Sequence, residues 1–304
     1  MFDVRYVGEQ IYPGDDGRSK ESMSTSRVIQ FELTGADGGP LRGTVRTAGD
    51  GTGRPPIVIC HGFKGAQDWG MIPVLAERIA RAGMTAVTFN FSGSGVGADG
   101  VGFSEPERFA RSTFSNDVTD IDTVCRSLLA GELVAGLVRP VSYGLFGYSR
   151  GGGAAVLHAA EERPVRTLVT WAAIAHTNRW DAETLAKWRT EGRRLVADNE
   201  ARDGLFFYTD MLDDIENNGN SLDVIAAAGR VRAPWLILHG GEDAFVPVEE
   251  GVALHDAANR AQTELEVLRG GTHSLGALPG TDGDPGLLKG AVDRTLAWFS
   301  KYMY

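Results

Sequence analysis

From residue 57 onward the chain alternates between two textures. Short, continuously apolar runs stand at Ile57–Cys60, Ala86–Phe91, Val141–Phe146, Thr167–Ala172 and Trp235–His239, and a more alternating one at Glu264–Leu268. Between them lie stretches with helical patterning at Met71–Ala82, Phe114–Ala130, Gly152–Ala160, Val248–Ala258 and Leu287–Tyr302. A run that is apolar on both faces fits a strand covered by helices on both sides. Regular alternation of strand and helix builds βαβ units, hence a mostly parallel central sheet flanked by helices. Ahead of this region, Arg27–Leu33 and Leu41–Arg46 alternate around Gly35-Ala36-Asp37-Gly38-Gly39, which predicts an N-terminal antiparallel hairpin. Residues 1–26 are polar and rich in Gly and Ser, and read as loop or early edge structure.

One interval breaks the rhythm. About sixty residues separate the run ending near Ala173 from the one starting at Trp235, although a crossover helix needs only a dozen or so. They carry helical stretches at Asp181–Asp198 and Leu222–Ala228 and an aromatic group, Trp180, Trp188, Phe206, Phe207 and Tyr208. The excess predicts a helical cap or lid, residues 175–230, inserted into a single α/β domain spanning 1–304. There is no internal repeat or low-complexity tract.

Composition narrows the function classes. The 304 residues are 42% hydrophobic and 23% charged, enough apolar material for a full core. A formal net charge of −10 argues against a nucleic-acid partner and against an anionic membrane surface. Cys60 ends an apolar strand and Cys125 lies in a helical stretch, so both read as buried hydrophobes rather than a disulfide or metal pair. No basic and then apolar leader opens the chain, and no run of about 18 apolar residues could span a membrane. The expected compartment is the cytoplasm.

The candidate chemistry centres on Gly147-Tyr148-Ser149-Arg150-Gly151, which sits between a predicted strand and a predicted helix. A serine hydroxyl becomes a nucleophile when a strained turn presents it, a base takes its proton and amides hold the oxyanion. By itself the pentapeptide is a chance-level signal: with 40 glycines, Gly-x-Ser-x-Gly arises roughly 0.3 times in such a chain. Of the six histidines, His158 lies inside the following helix, His239 ends a strand and His255 falls within an amphipathic helix. His273, in Gly270-Gly271-Thr272-His273-Ser274, follows the last strand, where a loop can carry a base over the carboxyl edge of the sheet. Two acids, Glu242 and Asp243, stand just past Trp235–His239 and are rivals for the carboxylate that orients the base. Two backbone donors are expected for the oxyanion: the amide of Arg150, and the amide of Phe63 in His61-Gly62-Phe63-Lys64-Gly65. His61 reads as a structural holder of that loop.

Together these residues resemble the α/β-hydrolase superfamily. The resemblance runs from about residue 57 to 300 and includes the His61-Gly62 turn, Phe89-Asn90-Phe91-Ser92-Gly93-Ser94-Gly95, the Ser149 elbow, His239-Gly240-Gly241-Glu242-Asp243 and His273. The order Ser149, Asp243, His273 is the superfamily's order. The segment His61–Gly65 with Asp68-Trp69-Gly70 is similar to esterases related to dienelactone hydrolases, to cinnamoyl or feruloyl esterases and to S9 peptidase catalytic domains. Dienelactone hydrolases proper use cysteine where this chain has Ser149.

The resemblance implies the α/β-hydrolase fold, Asp243 rather than Glu242 as the acid, and a serine esterase acting on small to medium acyl or aryl esters through an acyl-enzyme. Tyr148, Trp180, Trp188 and Phe207 are the pocket candidates. No cofactor and no metal are implied; the partner is a small-molecule ester, with no nucleic acid and no membrane, and a homodimer stays open. The alternatives are an aminopeptidase or acyl-peptide hydrolase, an acyltransferase or thioesterase on the same residues, and, least favoured, a non-catalytic binding protein. The acids Asp210, Asp213, Asp214 and Glu216 read as a solvated face, or as a preference for cationic substrates that would support a peptidase.

Overall fold

A computed structural model of the chain describes residues 5–12, 26–49, 53–100, 102–133, 139–161, 163–196, 204–277 and 283–304. It opens with three strands: β1 (Arg5–Tyr12), β2 (Ser26–Thr34) and β3 (Pro40–Ala48). The strand–helix alternation then follows as β4 (Pro56–Cys60), α1 (Ile72–Arg81), β5 (Thr85–Phe89), α2 (Pro106–Ala110), α3 (Phe114–Leu129), β6 (Tyr143–Tyr148), α4 (Arg150–Ala159) and β7 (Val165–Trp171). Between β7 and β10 (Trp235–Gly240) lie α5 (Ala182–Glu191), β8 (Arg193–Leu195), β9 (Phe206–Tyr208), α6 (Asp210–Asn218) and α7 (Val224–Ala228). The chain closes with α8 (Val248–Ala257), β11 (Thr263–Leu268) and α9 (Pro285–Met303).

The main sheet of the described residues has nine strands in the order β1-β2-β3-β5-β4-β6-β7-β10-β11. The first three strands run antiparallel to their neighbours, and the pairs from β5/β4 to β10/β11 are parallel. The continuous apolar runs explain the layering. In β4, Val58 and Cys60 enter the core under α3, α4, α7 and α8, while Ile57 and Ile59 enter the core under α1 and α9. In β10, Trp235 and Ile237 face the first core, and Leu236 and Leu238 the second. Helix α1 buries Ile72, Leu75, Ala76 and Ile79, a spacing that places them on one stripe. Three buried indoles donate to strand or helix hydroxyls, Trp171 to Thr295, Trp298 to Thr167 and Trp235 to Thr170, at 2.9–3.0 Å. Their polar edges are thereby satisfied inside the core.

The differences from the predicted elements have local causes. Residues 1–26, read as loop or early edge, include the edge strand β1 and the first residue of β2. Val141 is 89% exposed, so β6 starts only at Tyr143 and carries on to Tyr148. The helix expected over Asp181–Asp198 stops at Glu191, where Gly192 takes a left-handed conformation (φ 69°) and the chain turns into β8; Asp198 lies outside the described residues. Strand β8 pairs antiparallel with β9. The stretch is therefore mixed rather than purely helical, and Trp188, Phe207 and Leu212 from it join the first core.

Helix α3 also buries Asp120, whose carboxylate accepts the amides of Ala36 (2.8 Å) and Ser92 (2.7 Å). It thus ties the β2–β3 turn to the loop after β5. Burial pushes this carboxyl up to about 7 against the pull of those amides. Unfolded, the group titrates near its ordinary value of 3.8. Between the two values the folded chain holds the extra proton, so this contribution to stability falls as pH rises. Asp120→Asn lacks the titration. Its melting temperature relative to wild type is expected to climb as pH rises from about 4 to 7, and thermal unfolding at several pH values would refute this by showing a constant offset.

Candidate active site

Strand β6 ends at Tyr148 and α4 begins at Arg150, which leaves Ser149 at the apex with φ 54° and ψ −119°. A left-handed φ on a residue with a side chain costs on the order of 1–3 kcal/mol and persists only where the surroundings hold it. Here the Ser149 amide donates to Trp171 O (2.9 Å), and its carbonyl accepts from Gly153 (3.1 Å) and Ile174 (3.2 Å). The flanking glycines leave room for the turn. A Cβ on Gly147 would stand 2.6 Å from Gly151 O, and one on Gly151 would collide with the His61 carbonyl.

His273 and Asp243 come to this apex from the ends of β11 and β10. Ser149 Oγ lies 3.0 Å from His273 Nε2, and His273 Nδ1 lies 2.8 Å from Asp243 Oδ2. Burial alone would raise the Asp243 carboxyl. The bond and charge of His273, with the amides of Val246 and Phe245, hold it below its ordinary value. An ionised carboxylate only accepts, so Nδ1 carries the ring proton and Nε2 is free to accept the Ser149 hydroxyl. Asp243 Oδ1 takes the amides of Phe245 and Val246, both at 2.9 Å. His239 Nε2–H donates to Val246 O (2.8 Å) and stands 3.6 Å from Asp243 Oδ2, steadying the same turn. Glu242 is exposed and takes no part, so the geometry chooses between the two rivals.

The loop after β4 closes against the elbow. His61 Nδ1–H donates to Gly62 O (2.8 Å), and its Nε2 accepts the Phe91 amide (3.2 Å). Burial lowers this ring to about 4, so it stays neutral and can make both bonds. His61 therefore holds the loop, as its position suggested. Lys64 also sits at positive φ (56°), marking the sharp turn that carries Phe63. As the first residue of α4, Arg150 has an amide with no acceptor inside the helix. Its guanidinium donates from Nε to Asp117 Oδ2 (2.6 Å) and from an Nη to Thr113 O (3.1 Å), and lies 4.6 Å from the Phe114 ring centre. Asp117 is buried, a state that raises its carboxyl even against the opposing charge of Arg150. Phe63, Phe109, Ser112, Asp117 and Arg150 line a small cavity beside this loop.

The pocket candidates separate. Tyr148 packs its ring 5.1 Å from that of His273 and donates its phenol to His273 O (3.3 Å). Burial and the Asp243 charge push that phenol up, so it stays neutral. Phe207 reaches the site through Phe63, at 5.6 Å between ring centres, and stacks on Phe109 at 5.2 Å. Trp188 lies behind Phe207 and Trp180 behind Trp188; at 1% and 3% exposure Trp188 and Phe207 are packed in the core. His158 is a packing residue bonded to the Tyr143 hydroxyl. Asp117 and Phe245 were not anticipated. The Phe245 ring lies 5.6 Å from that of His273, tilted by 48°, and only its place two residues past the acid hints at that. A furrow of about 960 Å³ at the opposite end of the strands, beside Arg163 and Arg230, shares no residue with the Ser149 cluster. Among the described residues, no group of three or more His, Cys, Asp or Glu is arranged to hold a metal ion, and no helix is long and apolar enough to cross a membrane.

No family model matches the chain. A curated relative from Escherichia coli, an uncharacterised 31.7 kDa protein of the traX-finO intergenic region, is 25% identical over 249 residues, covering 69% of this chain and 80% of its own. Among solved structures the chain is similar to an esterase domain from Rhodothermus marinus, with TM-score 0.60, 17% identity, and 91% and 99% of the two chains covered. It is similar to Est1E from Butyrivibrio proteoclasticus with bound ferulic acid, with TM-score 0.61, 20% identity, and 88% and 98% covered. It is also similar to a Mycobacterium tuberculosis puromycin-hydrolysing peptidase, with TM-score 0.64, 19% identity, 92% of this chain and 40% of that one covered. At these identities the likeness is one of fold: the chain has the α/β-hydrolase fold.

The tight contact between loop and elbow has a direct consequence. A Cβ on Gly62 would stand 2.8 Å from the Tyr148 ring and 3.1 Å from Ser149 Cβ. Gly62→Ala is expected to push the loop off Ser149 and to slow modification of Ser149 by a fluorophosphonate probe by about tenfold or more. A labelling rate equal to wild type would contradict it.

Proposed function

We propose that the protein is a serine hydrolase that cleaves carboxylic esters of small to medium acyl or aryl groups through an acyl-enzyme intermediate. The observation that carries this reading is the unbroken chain of hydrogen bonds from Ser149 Oγ through His273 to Asp243, built at a strained turn. In this reading His273 Nε2 takes the Ser149 proton as Oγ attacks the ester carbonyl. The carbonyl oxygen becomes an oxyanion held by the Phe63 and Arg150 amides. Asp243 stabilises the imidazolium, which then passes its proton to the departing alkoxide, and the alcohol leaves. A water, deprotonated by the same nitrogen, attacks the acyl-enzyme; the acid departs and Ser149 regains its proton. Loss of one oxyanion donor costs about 3 kcal/mol in barrier. The stretch 175–230 serves in this scheme as a cap whose β9 side reaches the oxyanion loop through Phe207.

The ester reading is favoured over a peptidase by the charge of that cap. Asp210 pairs with Arg111, and Asp213 and Glu216 pair with Arg189, while Asp214 accepts the Ser115 amide and the Asn218 side chain. The acids that would have drawn a cationic substrate are thus already engaged.

Ser149→Ala is expected to abolish both fluorophosphonate labelling and turnover of 4-nitrophenyl esters, and Asp243→Asn to lower kcat by about 10⁴-fold. Labelling that persists in Ser149→Ala would sink the assignment. Turnover of aminoacyl-4-nitroanilides in place of the esters would turn the reading to a peptidase.

A further inference from the structure

We propose that Phe245 is the floor of a leaving-group subsite that selects aromatic alcohols. The inference rests on the reading of Ser149 and His273 as the reacting pair, and names the substrate class for that site. Phe245 is 74% exposed, so its ring contributes little to the core. Yet its backbone is fixed on both sides. Its amide donates to Asp243 Oδ1 (2.9 Å), and its carbonyl accepts from an Arg179 Nη (2.9 Å). Arg179 is itself held by both oxygens of Glu250, at 2.8 and 2.9 Å, and Glu250 also accepts the Ala175 amide (2.6 Å). A large apolar ring is thus held in solvent by a firmly tied loop, 5.6 Å from the His273 ring.

Its place decides what it would touch. The alkoxide takes its proton from His273 Nε2, so the alcohol's carbon skeleton lies against whatever flanks that imidazole. The small cavity beside Phe63 is separate from this face, since neither His273 nor Phe245 lines it. Beside the ring, Asp243 is committed to His273 and Arg179 to Glu250, with Glu242 exposed three residues earlier, so the surface this loop offers next to His273 is chiefly the ring face. Aromatic rings gain over saturated rings of equal size when they meet such a face offset or edge-on.

The test compares benzyl acetate with cyclohexylmethyl acetate, which share an acyl group and differ in the π face of the alcohol. Wild type is expected to favour the benzyl ester about three- to tenfold in kcat/KM. Phe245→Leu, a change at an exposed ring, should bring that ratio close to one, and Phe245→Trp should keep it. In parallel, saturation-transfer NMR should detect benzyl alcohol on the wild type and markedly less on Phe245→Leu. A ratio that survives Phe245→Leu overturns the proposal, and so does a variant that loses activity on both esters equally, the mark of an unselective apolar patch. If neither ester is cleaved and Ser149 resists a fluorophosphonate, the hydrolase reading fails. The benzyl alcohol binding then decides the subsite alone: dependence on Phe245 upholds it and independence overturns it.

Discussion

Ser149 occupies a backbone conformation that a residue with a side chain resists, and much of the surrounding structure acts to keep it there. The neighbouring strand supplies Trp171 O, α4 supplies the Gly153 amide, and the turn after β7 supplies the Ile174 amide. Each of these groups is positioned by the parallel sheet, whose β4, β6, β7 and β10 are adjacent in register. The strain is therefore met by the fold as a whole. A serine on a flexible loop would relax out of this geometry, and its hydroxyl would spend little time aligned with an acceptor.

The same sheet edge gathers the partners. His273 and Asp243 follow adjacent strands, β11 and β10, so their loops converge without any long-range search once those strands pair. The turn holding Asp243 is tied by two amides to its carboxylate and by the His239 bond to Val246 O, which keeps the carboxylate aimed at His273. On the other side, the Arg150–Asp117 pair is nearly enclosed, with side chains 12% and 4% exposed. A buried pair of this kind contributes little net stability, because desolvation offsets most of its attraction. Its clearer role is geometric: it fastens the first residue of α4 to the first turn of α3, and with it the amide next to Ser149.

How much of this is legible in the chain depends on distance along it. The runs Ile57–Cys60 and Trp235–Leu238 read as a doubly covered strand each because every position is apolar, and both cores take alternate residues from them. Ser149, Asp243 and His273 are legible because each follows a strand, in an order that has chemical meaning. What fails to show is contact between elements remote in sequence. Arg193-Arg194-Leu195 has no strand signal of its own and becomes β8 only by pairing with Phe206–Tyr208. Asp117 looks like a solvated helix residue until Arg150 arrives from α4. Trp188 and Phe207 look like a lining because aromatic residues near a site suggest one, whereas burial in the core explains them.

The burial of these rings changes how the stretch between β7 and β10 relates to the loop beside Ser149. Phe63 touches Phe207 and Phe109, Phe207 stacks on Trp188, and Trp188 meets Trp180, so an unbroken run of rings joins the loop after β4 to α5. Phe109 and Phe207, stacked with ring planes within 12° of parallel, are packed as core rings. A close-packed interior transmits displacement because it has no void to absorb it. The stretch between β7 and β10 thereby bears on the position of Phe63 through contact, its buried aromatic residues standing as support behind that loop.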